Sequence, residues 1–212
     1  MLESVYRAAG LRVGLFTSPH LVTFGERIQV NRQPISAADV SRLVAELRLV
    51  LGNCSEEDSP TFFEVVTVMG LRYFAEQGCD LVIWETGMGG RLDATNIVTP
   101  LASVITNVQF DHEKWLGNTL AEIAREKAGI IKPGVPVITA TDEPEALEVI
   151  RETAARQHAP LTIVSQADTS LPSLATLRLP LLGEHQRLNA ALAAATVRTL
   201  RPIIPVSEPI LR

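Results

Sequence analysis

The sequence has few cysteines, no long apolar run and no excess of positive charge, and each shortage excludes a class of protein. Its two cysteines, Cys54 and Cys79, have neither the spacing of a metal site nor a disulfide-rich context, which predicts reduced thiols. The longest apolar runs are far shorter than the ~20 residues of a membrane-spanning helix, and no signal-peptide pattern occurs at the start. We therefore expect a cytoplasmic protein without a membrane partner.

The charge balance is mildly acidic, with a net charge of −5. Proteins that bind nucleic acid usually carry a basic footprint, so no nucleic-acid partner is expected. The chain is 46% hydrophobic and 20% charged, which is typical of soluble globular proteins. Its 212 residues suffice for one large domain or two small ones.

Short apolar runs alternate with amphipathic stretches along the chain. The predicted strands cover residues 13–16, 81–84, 101–106, 135–139, 161–164 and, with more exposure, 174–182. The predicted helices cover residues 1–9, 36–51, 61–77, 119–127, 144–157 and a segment that follows Asn189 and ends near Leu200. Residues 21–34 are interpreted as a mobile loop with a short extended piece. The alternation predicts a three-layer α/β/α domain with mostly parallel strands.

Residues 80–96, DLVIWETGMGGRLDATN, gather more polar groups than a turn requires. A four-residue apolar strand ends on Glu85, and three glycines follow it. Ligands bind at the carboxyl ends of parallel strands, and glycines let the backbone approach a ligand closely. The pattern favours a metal–phosphate site, although Glu85 by itself is explained equally well as an acidic strand end before a flexible turn.

Two further predicted strands lead into groups that bind divalent cations, Ser18 and His112. Oxygen and imidazole ligands on separate strands can surround one cation, and hard oxygen ligands favour Mg²⁺. Taken singly, His112 is more often structural, and Lys127 on the next helix is more often solvated. Glu64 needs a partner or a ligand, unless it lies at an exposed helix start.

The order of these motifs resembles the folylpolyglutamate synthase/dihydrofolate synthase family of the Mur-ligase superfamily. The matching segments are FTSPHL at 16–21, ERI at 26–28, TFFE at 61–64, ETGMGGRLDATN at 85–96, DHEKWLG at 111–117, REKAGIIKPG at 125–134 and HQRLN at 185–189. GGRLDATN is typical of this branch, whereas DH, EKAGI and the HQxxN-like motif are shared with the cell-wall ligases of the superfamily.

The resemblance implies a P-loop-NTPase-like Mur-ligase central domain and an ATP-dependent amide ligase. Such enzymes phosphorylate a substrate carboxylate, and the amine of L-glutamate then displaces phosphate from the acyl phosphate. The implied substrates are ATP, L-glutamate and dihydropteroate or folate, with two Mg²⁺ ions, in a protein that is monomeric at full length. Whether the first glutamate, later ones or both are added stays open.

The resemblance also implies roles for single residues. Ser18, Glu85 and His112 match Mg²⁺ ligands, and Lys127 matches a lysine that is carbamylated and so becomes an anionic ligand for a second Mg²⁺. The residues that match pteroate-binding segments are Thr61, Phe62, Phe63, Glu64, Leu92, Asp93 and Ala94. Asn189 matches a contact to ATP.

Two parts of the family pattern are absent from the sequence. Its 212 residues contain no P-loop of the G-x-x-G-K-[GST] kind, which supplies the backbone N–H groups and the lysine that hold ATP phosphates. The C-terminal domain of the family is absent too. We therefore interpret residues 1–212 as one ATP-binding domain that is truncated at the N terminus, with residues 201–212 starting the connection to a missing C-terminal domain.

Two other interpretations stay open. A non-catalytic remnant would keep the fold and bind pteroate or nucleotide without turnover. A cell-wall Mur-type ligase would use UDP-muramyl peptides, but GGRLDATN and the TSPHL–ERI pair argue against it.

Overall fold

The computed structural model of the chain describes residues 1–52, 54–55, 57–171, 174, 179 and 183–211. The chain divides into two compact units. The N-terminal unit comprises Tyr6–Met88 and Asp93–Ile97, and the C-terminal unit comprises Met1–Val5, Gly89–Leu92 and Val98–Arg212. The fold is of the predicted mixed α/β class, and its strands form two hydrogen-bonded sheets among the described residues.

The N-terminal unit contains a four-stranded sheet. Its elements in chain order are β1 (Val13–Phe16), β2 (Ile28–Val30), β3 (Gln33–Pro34), α2 (Ala37–Leu51), α3 (Phe62–Glu76) and β4 (Leu81–Trp84); α1 (Leu2–Ala8) precedes them. The strand order is β3-β2-β1-β4. Strands β1 and β4 are parallel, with Phe16 opposite Trp84, so the residues that follow them emerge at the same edge of the sheet.

The hairpin of β2 and β3 corrects the prediction of a mobile loop at residues 21–34. A 3₁₀ turn at Phe24–Arg27 leads directly into β2, which pairs antiparallel with β1. Ile28 and Val30 are buried on alternate positions of β2, which is the pattern of a half-buried strand. Asn31 and Arg32 both have positive φ, as the two central residues of a tight hairpin turn require. The prediction missed the hairpin because its turn is Asn-Arg rather than Asn-Gly.

Aromatic rings fill the core of the N-terminal unit. The rings of Phe16 and Trp84 stack with centroids 4.3 Å apart, and Phe74 meets Trp84 edge-on at 6.2 Å. A Cβ at Gly14 would lie 2.8 Å from the Phe74 ring, and one at Gly70 would lie 2.9 Å from the Phe16 ring. These two glycines therefore leave the space that the rings occupy.

The C-terminal unit contains a parallel three-stranded sheet. Its elements in chain order are β5 (Ser103–Ile105), α4 (Glu113–Leu116), α5 (Leu120–Ala128), β6 (Val137–Thr139), α6 (Pro144–Arg156), β7 (Leu161–Ile163) and α7 (Glu184–Leu200). The strand order is β5-β6-β7, and all three residues of the central strand β6 are buried.

Helices cover both faces of this parallel sheet. Val137 packs into a cluster with Ile123 of α5 and Ile150 of α6. The next residue, Ile138, packs into a separate cluster with Leu192 of α7. Successive side chains of a strand point to opposite faces, so the C-terminal unit has helices on each side of its sheet, as the prediction of three layers requires.

The predicted strand at residues 174–182 lies outside the described residues, except for Leu174 and Leu179. Leu174 is buried against α7. In the described part of the chain, no helix is both long and apolar enough to span a bilayer.

Candidate functional site

Ser18 and Glu85 meet at the shared carboxyl edge of β1 and β4. The Glu85 N–H donates to the Phe16 carbonyl at 3.1 Å, which extends the parallel ladder by one residue. The Ser18 N–H donates to Glu85 Oε2 at 2.9 Å. Glu85 Oε1 accepts no hydrogen bond from any residue that the structure describes, and the side chain is exposed. A carboxylate oxygen at this edge is therefore available to a ligand.

Asp93 organises the turn that follows Glu85. Its Oδ2 accepts from the Met88 N–H at 2.9 Å, and its Oδ1 accepts from the N–H of Thr95 at 2.9 Å and from the Thr95 hydroxyl. Thr95 is buried, and its carbonyl accepts from the Trp84 indole N–H at 3.0 Å. Three acceptor positions of the Asp93 carboxylate are thus used inside the turn, which leaves about one for a substrate.

The segment from Thr61 to Glu64 forms the N-terminal cap of α3. The Thr61 hydroxyl accepts from the Glu64 N–H, and Glu64 Oε2 accepts from the Thr61 N–H at 2.7 Å. The hydrogen bond from the Thr61 backbone lowers the pKa of Glu64. Glu64 is exposed, which matches the interpretation as a helix-start carboxylate. Phe62 is 64% exposed, so its ring is accessible to a planar ligand.

Arg27 is a nearly buried cation that the site assignment from sequence missed, although the ERI motif contains it. Its Nε donates to His20 Nδ1 at 2.8 Å, and its guanidinium carbon lies 5.6 Å from the centre of the Phe62 ring. Arg27 is 9% exposed, and no carboxylate among the described residues pairs with it. His20 accepts this hydrogen bond through Nδ1.

Glu26 holds the loop that precedes the 3₁₀ turn. Its carboxylate accepts from three consecutive backbone N–H groups, those of Leu21, Val22 and Thr23. These hydrogen bonds lower the pKa of Glu26. The loop presents Leu21 and Val22 to solvent at 92% and 84% exposure.

His112 is the N-cap residue of α4 in the C-terminal unit. Its backbone is in the left-handed region at φ 50°, and its side chain is exposed. His112 Nε2 lies 3.6 Å from Asp111 Oδ2. The imidazole is therefore not committed to a buried structural contact.

Lys127 lies in the last turn of α5 and is half-buried. Ile123 and Ala124, which share its helix face, are 0% exposed, so this face packs toward the sheet as predicted.

Asn189 is half-buried near the start of α7, and its amide lies 3.5 Å from the Gln186 side-chain oxygen.

The structure brings together only part of the predicted set. Ser18 and Glu85 are in contact in the N-terminal unit, which also contains Asp93, Ala94 and the segment from Thr61 to Glu64. The C-terminal unit contains Leu92, His112, Lys127 and Asn189. Among the described residues, no group of three or more His, Cys, Asp and Glu side chains is arranged to hold a metal. The complete ligand set therefore remains a prediction from the motifs.

Comparison with known proteins assigns the family. Residues 37–197 match the Mur ligase middle domain family. The chain belongs to this family. It is 42% identical over 233 residues to a dihydrofolate synthase/folylpolyglutamate synthase of Bacillus subtilis, a match that covers 100% of this chain and 54% of the relative. It is 35% identical over 218 residues to the folylpolyglutamate synthase of Lacticaseibacillus casei, covering 93% of this chain and 51% of the relative.

Solved structures agree with this assignment. The apo form of L. casei FPGS superposes with a TM-score of 0.89 at 32% identity, covering 100% of this chain and 57% of that one. E. coli FolC in complex with DHPP and ADP gives a TM-score of 0.85 at 34% identity, and the match covers 100% of this chain and 51% of that chain. The predicted resemblance to folylpolyglutamate/dihydrofolate synthases is confirmed. The chain spans about half the length of the curated relatives it matches.

Proposed function

We propose that this chain contains the Mur ligase middle domain of an ATP-dependent ligase that joins L-glutamate to dihydropteroate or a folate. The main observation that supports this proposal is the contact of Ser18 with Glu85 at the carboxyl edge of two parallel strands, because α/β proteins bind ligands at such edges. The names of the relatives support the same substrate class.

The reaction proceeds in two balanced steps. A substrate carboxylate oxygen attacks the γ-phosphorus of ATP, the bond to the β-phosphate oxygen breaks, and an acyl phosphate and ADP form. The glutamate amine then attacks the acyl carbon, the acyl–oxygen bond breaks, and an amide, phosphate and a proton are released. Little covalent chemistry falls to the protein, so its residues act by positioning and by neutralising charge.

Mg²⁺ fits the donor chemistry of Ser18 and Glu85. A carboxylate oxygen without a hydrogen-bond partner and a hydroxyl are hard oxygen donors. His112 is proposed as a further ligand from its place in the DHEKWLG motif. When bound, Mg²⁺ neutralises the charge that develops on the transferring phosphoryl group.

Lys127 is proposed to carry a carbamate. Its neutral amine adds to CO₂, a C–N bond forms, and one proton is released, so a neutral amine becomes an anion; counted from the ammonium form, two protons are released. The Lys127 side chain is half-buried, and Ile123 and Ala124, which share its helix face, are fully buried. The carbamate then supplies an anionic ligand for a second Mg²⁺.

The remaining site residues are proposed to bind substrates. The pteridine contacts are assigned to Thr61, Phe62, Phe63, Glu64, Leu92, Asp93 and Ala94, and Asn189 is assigned to ATP. The accessible Phe62 ring suits stacking against a flat heterocycle. The free acceptor position of Asp93 suits a ring N–H group.

Calorimetric titration with dihydropteroate, folate and a UDP-muramyl peptide tests the substrate class. We expect heat of binding from a pteridine and none from the muramyl peptide. Phe62→Ala should weaken pteridine binding, whereas Phe110→Ala, at a ring of comparable exposure, should not. Tight binding of the muramyl peptide alone would show a cell-wall ligase instead.

Release of ADP at high MgATP, with L-glutamate and the bound pteridine present, separates an enzyme from a binding remnant. Glu85→Gln should lower turnover by about 100-fold, because it removes a charged ligand with little change of shape. Glu148→Gln, at an exposed carboxylate on α6, should leave turnover unchanged. Turnover by the wild-type chain that Glu85→Gln lowers would rule out the non-catalytic alternative.

The lack of a G-x-x-G-K-[GST] segment makes a separate prediction for ATP. Each charge-assisted hydrogen bond to a phosphate is worth about 1.5–3 kcal/mol. We therefore expect MgATP to bind this chain several kcal/mol more weakly than it binds relatives that contain the motif. Micromolar MgATP affinity in a titration of this chain would contradict that expectation.

A further inference from the structure

Gly90 and Arg91 lie against the last turn of α5. The Arg91 N–H donates to the Glu126 carbonyl at 2.8 Å. The Arg91 guanidinium donates to Glu126 Oε1 from Nε at 3.1 Å and from Nη2 at 2.9 Å. One residue of the loop therefore binds one residue of the helix through both the main chain and the side chain. We call this contact the Arg91 clamp.

Glycines on both sides make the close approach possible. A Cβ at Gly90 would lie 2.9 Å from the Glu126 carbonyl oxygen and 3.0 Å from the Lys127 carbonyl oxygen. A Cβ at Gly129 would lie 2.4 Å from Arg91 Cα. Backbone therefore packs on backbone at the helix end, where no larger residue would fit without movement.

The clamp acts where a helix is weakest. The last four carbonyls of a helix have no partner within it, and the final turn frays unless it is capped. Here the Gly129 N–H donates to the Glu126 carbonyl and the Ile130 N–H donates to the Lys127 carbonyl, each at 3.3 Å. The Arg91 N–H supplies the shorter bond to Glu126, the neighbour of Lys127 in the chain.

We propose that Arg91 is a positioning residue for Lys127. By fixing the turn of α5 that carries Lys127, the clamp holds the lysine amine in its half-buried position. The inference rests on the proposed role of Lys127, because only a reacting lysine needs such a fixed position. Arg91 itself touches neither substrate nor cation in this account.

A merely structural ion pair predicts a different outcome. The Arg91 and Glu126 side chains are 54% and 22% exposed, and pairs as exposed as this contribute little to global stability. A structural role therefore leaves Lys127 chemically unchanged when the pair is removed. A positioning role changes the reactivity of Lys127 while the unfolding transition stays nearly constant.

Competitive acetylation with trace acetic anhydride at one pH measures this reactivity. Mass spectrometry gives the labelling rate of Lys127 relative to Lys114 in the same molecule. We expect Arg91→Met to raise this ratio about threefold, the scale of losing one partly exposed ion pair. Arg91→Lys keeps the charge but loses the second hydrogen bond of the guanidinium. Its labelling ratio should lie between those of the wild type and Arg91→Met. Arg42→Met, which removes a comparable pair with Glu76, is the matched control and should leave the ratio unchanged.

A second readout separates this inference from the proposed function. The Lys127 carbamate is trapped by alkylation under ¹³C-bicarbonate and quantified by mass spectrometry. If the wild type forms no carbamate but Arg91→Met still raises the labelling ratio, the positioning role of Arg91 is supported and the proposed carbamate on Lys127 is contradicted. If the wild type forms carbamate and Arg91→Met changes neither readout, the proposed function stands and the clamp is overturned. A lower carbamate fraction together with a higher labelling ratio supports both.

Discussion

The two units fill their cores with different kinds of side chain. The N-terminal unit packs rings of Phe16, Phe74 and Trp84 around Gly14 and Gly70. The C-terminal unit has no such ring cluster among its described residues, and it buries a run of alanines on α7 against β6. A ring needs a complementary gap of fixed shape, whereas a helix face of small side chains lets its backbone approach a sheet closely. The N-terminal unit should therefore be sensitive to both enlargement and truncation.

Truncation of a central ring should have the largest effect. Phe16 is 0% exposed, and Phe16→Ala should lower the free energy of unfolding by about 3–5 kcal/mol, because it removes a fully buried ring and leaves a cavity. Urea denaturation measures the loss. Phe110→Ala, at a ring that is 58% exposed in the C-terminal unit, should change stability by less than ~0.5 kcal/mol. Equal losses in the two variants would show that the Phe16 ring is not central to packing.

Enlargement of a glycine beside a ring should have the next largest effect. The new Cβ of Gly14→Ala would meet Phe74 Cδ1 at 2.8 Å, and overpacking of this kind costs about 1–3 kcal/mol. Replacing the ring in Phe74→Leu should relieve part of this cost, so the double variant should be less unstable than the sum of the two single variants. Strict additivity would argue that the glycine and the ring do not compete for the same space.

Removal of one buried methyl group tests how closely the alanines of α7 pack against β6. Ala191→Gly in α7 should cost about 1–2 kcal/mol, the sum of a lower helix propensity and a lost buried methyl group. Ala45→Gly, at an exposed position of α2, should lose only the propensity part of about 1 kcal/mol. The difference between the two losses isolates the packing of α7. Identical losses would mean that the α7 face is packed no more closely than a surface helix.

The smallest effect concerns a local motif that both units share. Glu64 accepts the Thr61 backbone N–H at the start of α3, and Glu122 accepts the backbone N–H groups of Asn118 and Thr119 at the start of α5. These hydrogen bonds lower the pKa of both carboxylates. A carboxylate with a lower pKa in the folded state stabilises it fully above its ordinary pKa of 4.5, and the contribution is lost as pH falls through the lowered value.

Melting temperatures measured across this acidic range test the shared motif. The Tm gap between the wild type and either Glu64→Gln or Glu122→Gln should be largest near neutral pH and should close on acidification. The two variants should behave alike, because the cap is local. Glu148→Gln, at an exposed carboxylate in the interior of α6, is the control for a Glu-to-Gln change outside a helix cap. A gap that widens on acidification would contradict the pKa assignment.

Local patterns in the sequence were sufficient for several features. Apolar runs gave the position of β1, β4 and β6, and the helices predicted to begin at Thr61 and Thr119 correspond to α3 and α5, which these two residues cap. The contact of Ser18 with Glu85 followed from two strand ends in a parallel sheet. These features depend on residues within a few positions of one another, or on the alignment of strand ends, so periodicity and capping chemistry carry the information.

Only the tertiary structure decided the remaining contacts. The β2–β3 hairpin depends on the alignment of Ile28–Val30 with β1. Its turn lacks the Asn-Gly pair that would have predicted a hairpin from the sequence. The pairing of Arg27 with His20 needs the loop that Glu26 holds by three backbone hydrogen bonds. The Arg91 clamp joins residues 35 positions apart through glycines whose role appears only when two backbones meet. A sequence pattern records the period of one segment, whereas the partner of a side chain across such separations is selected by how the segments pack.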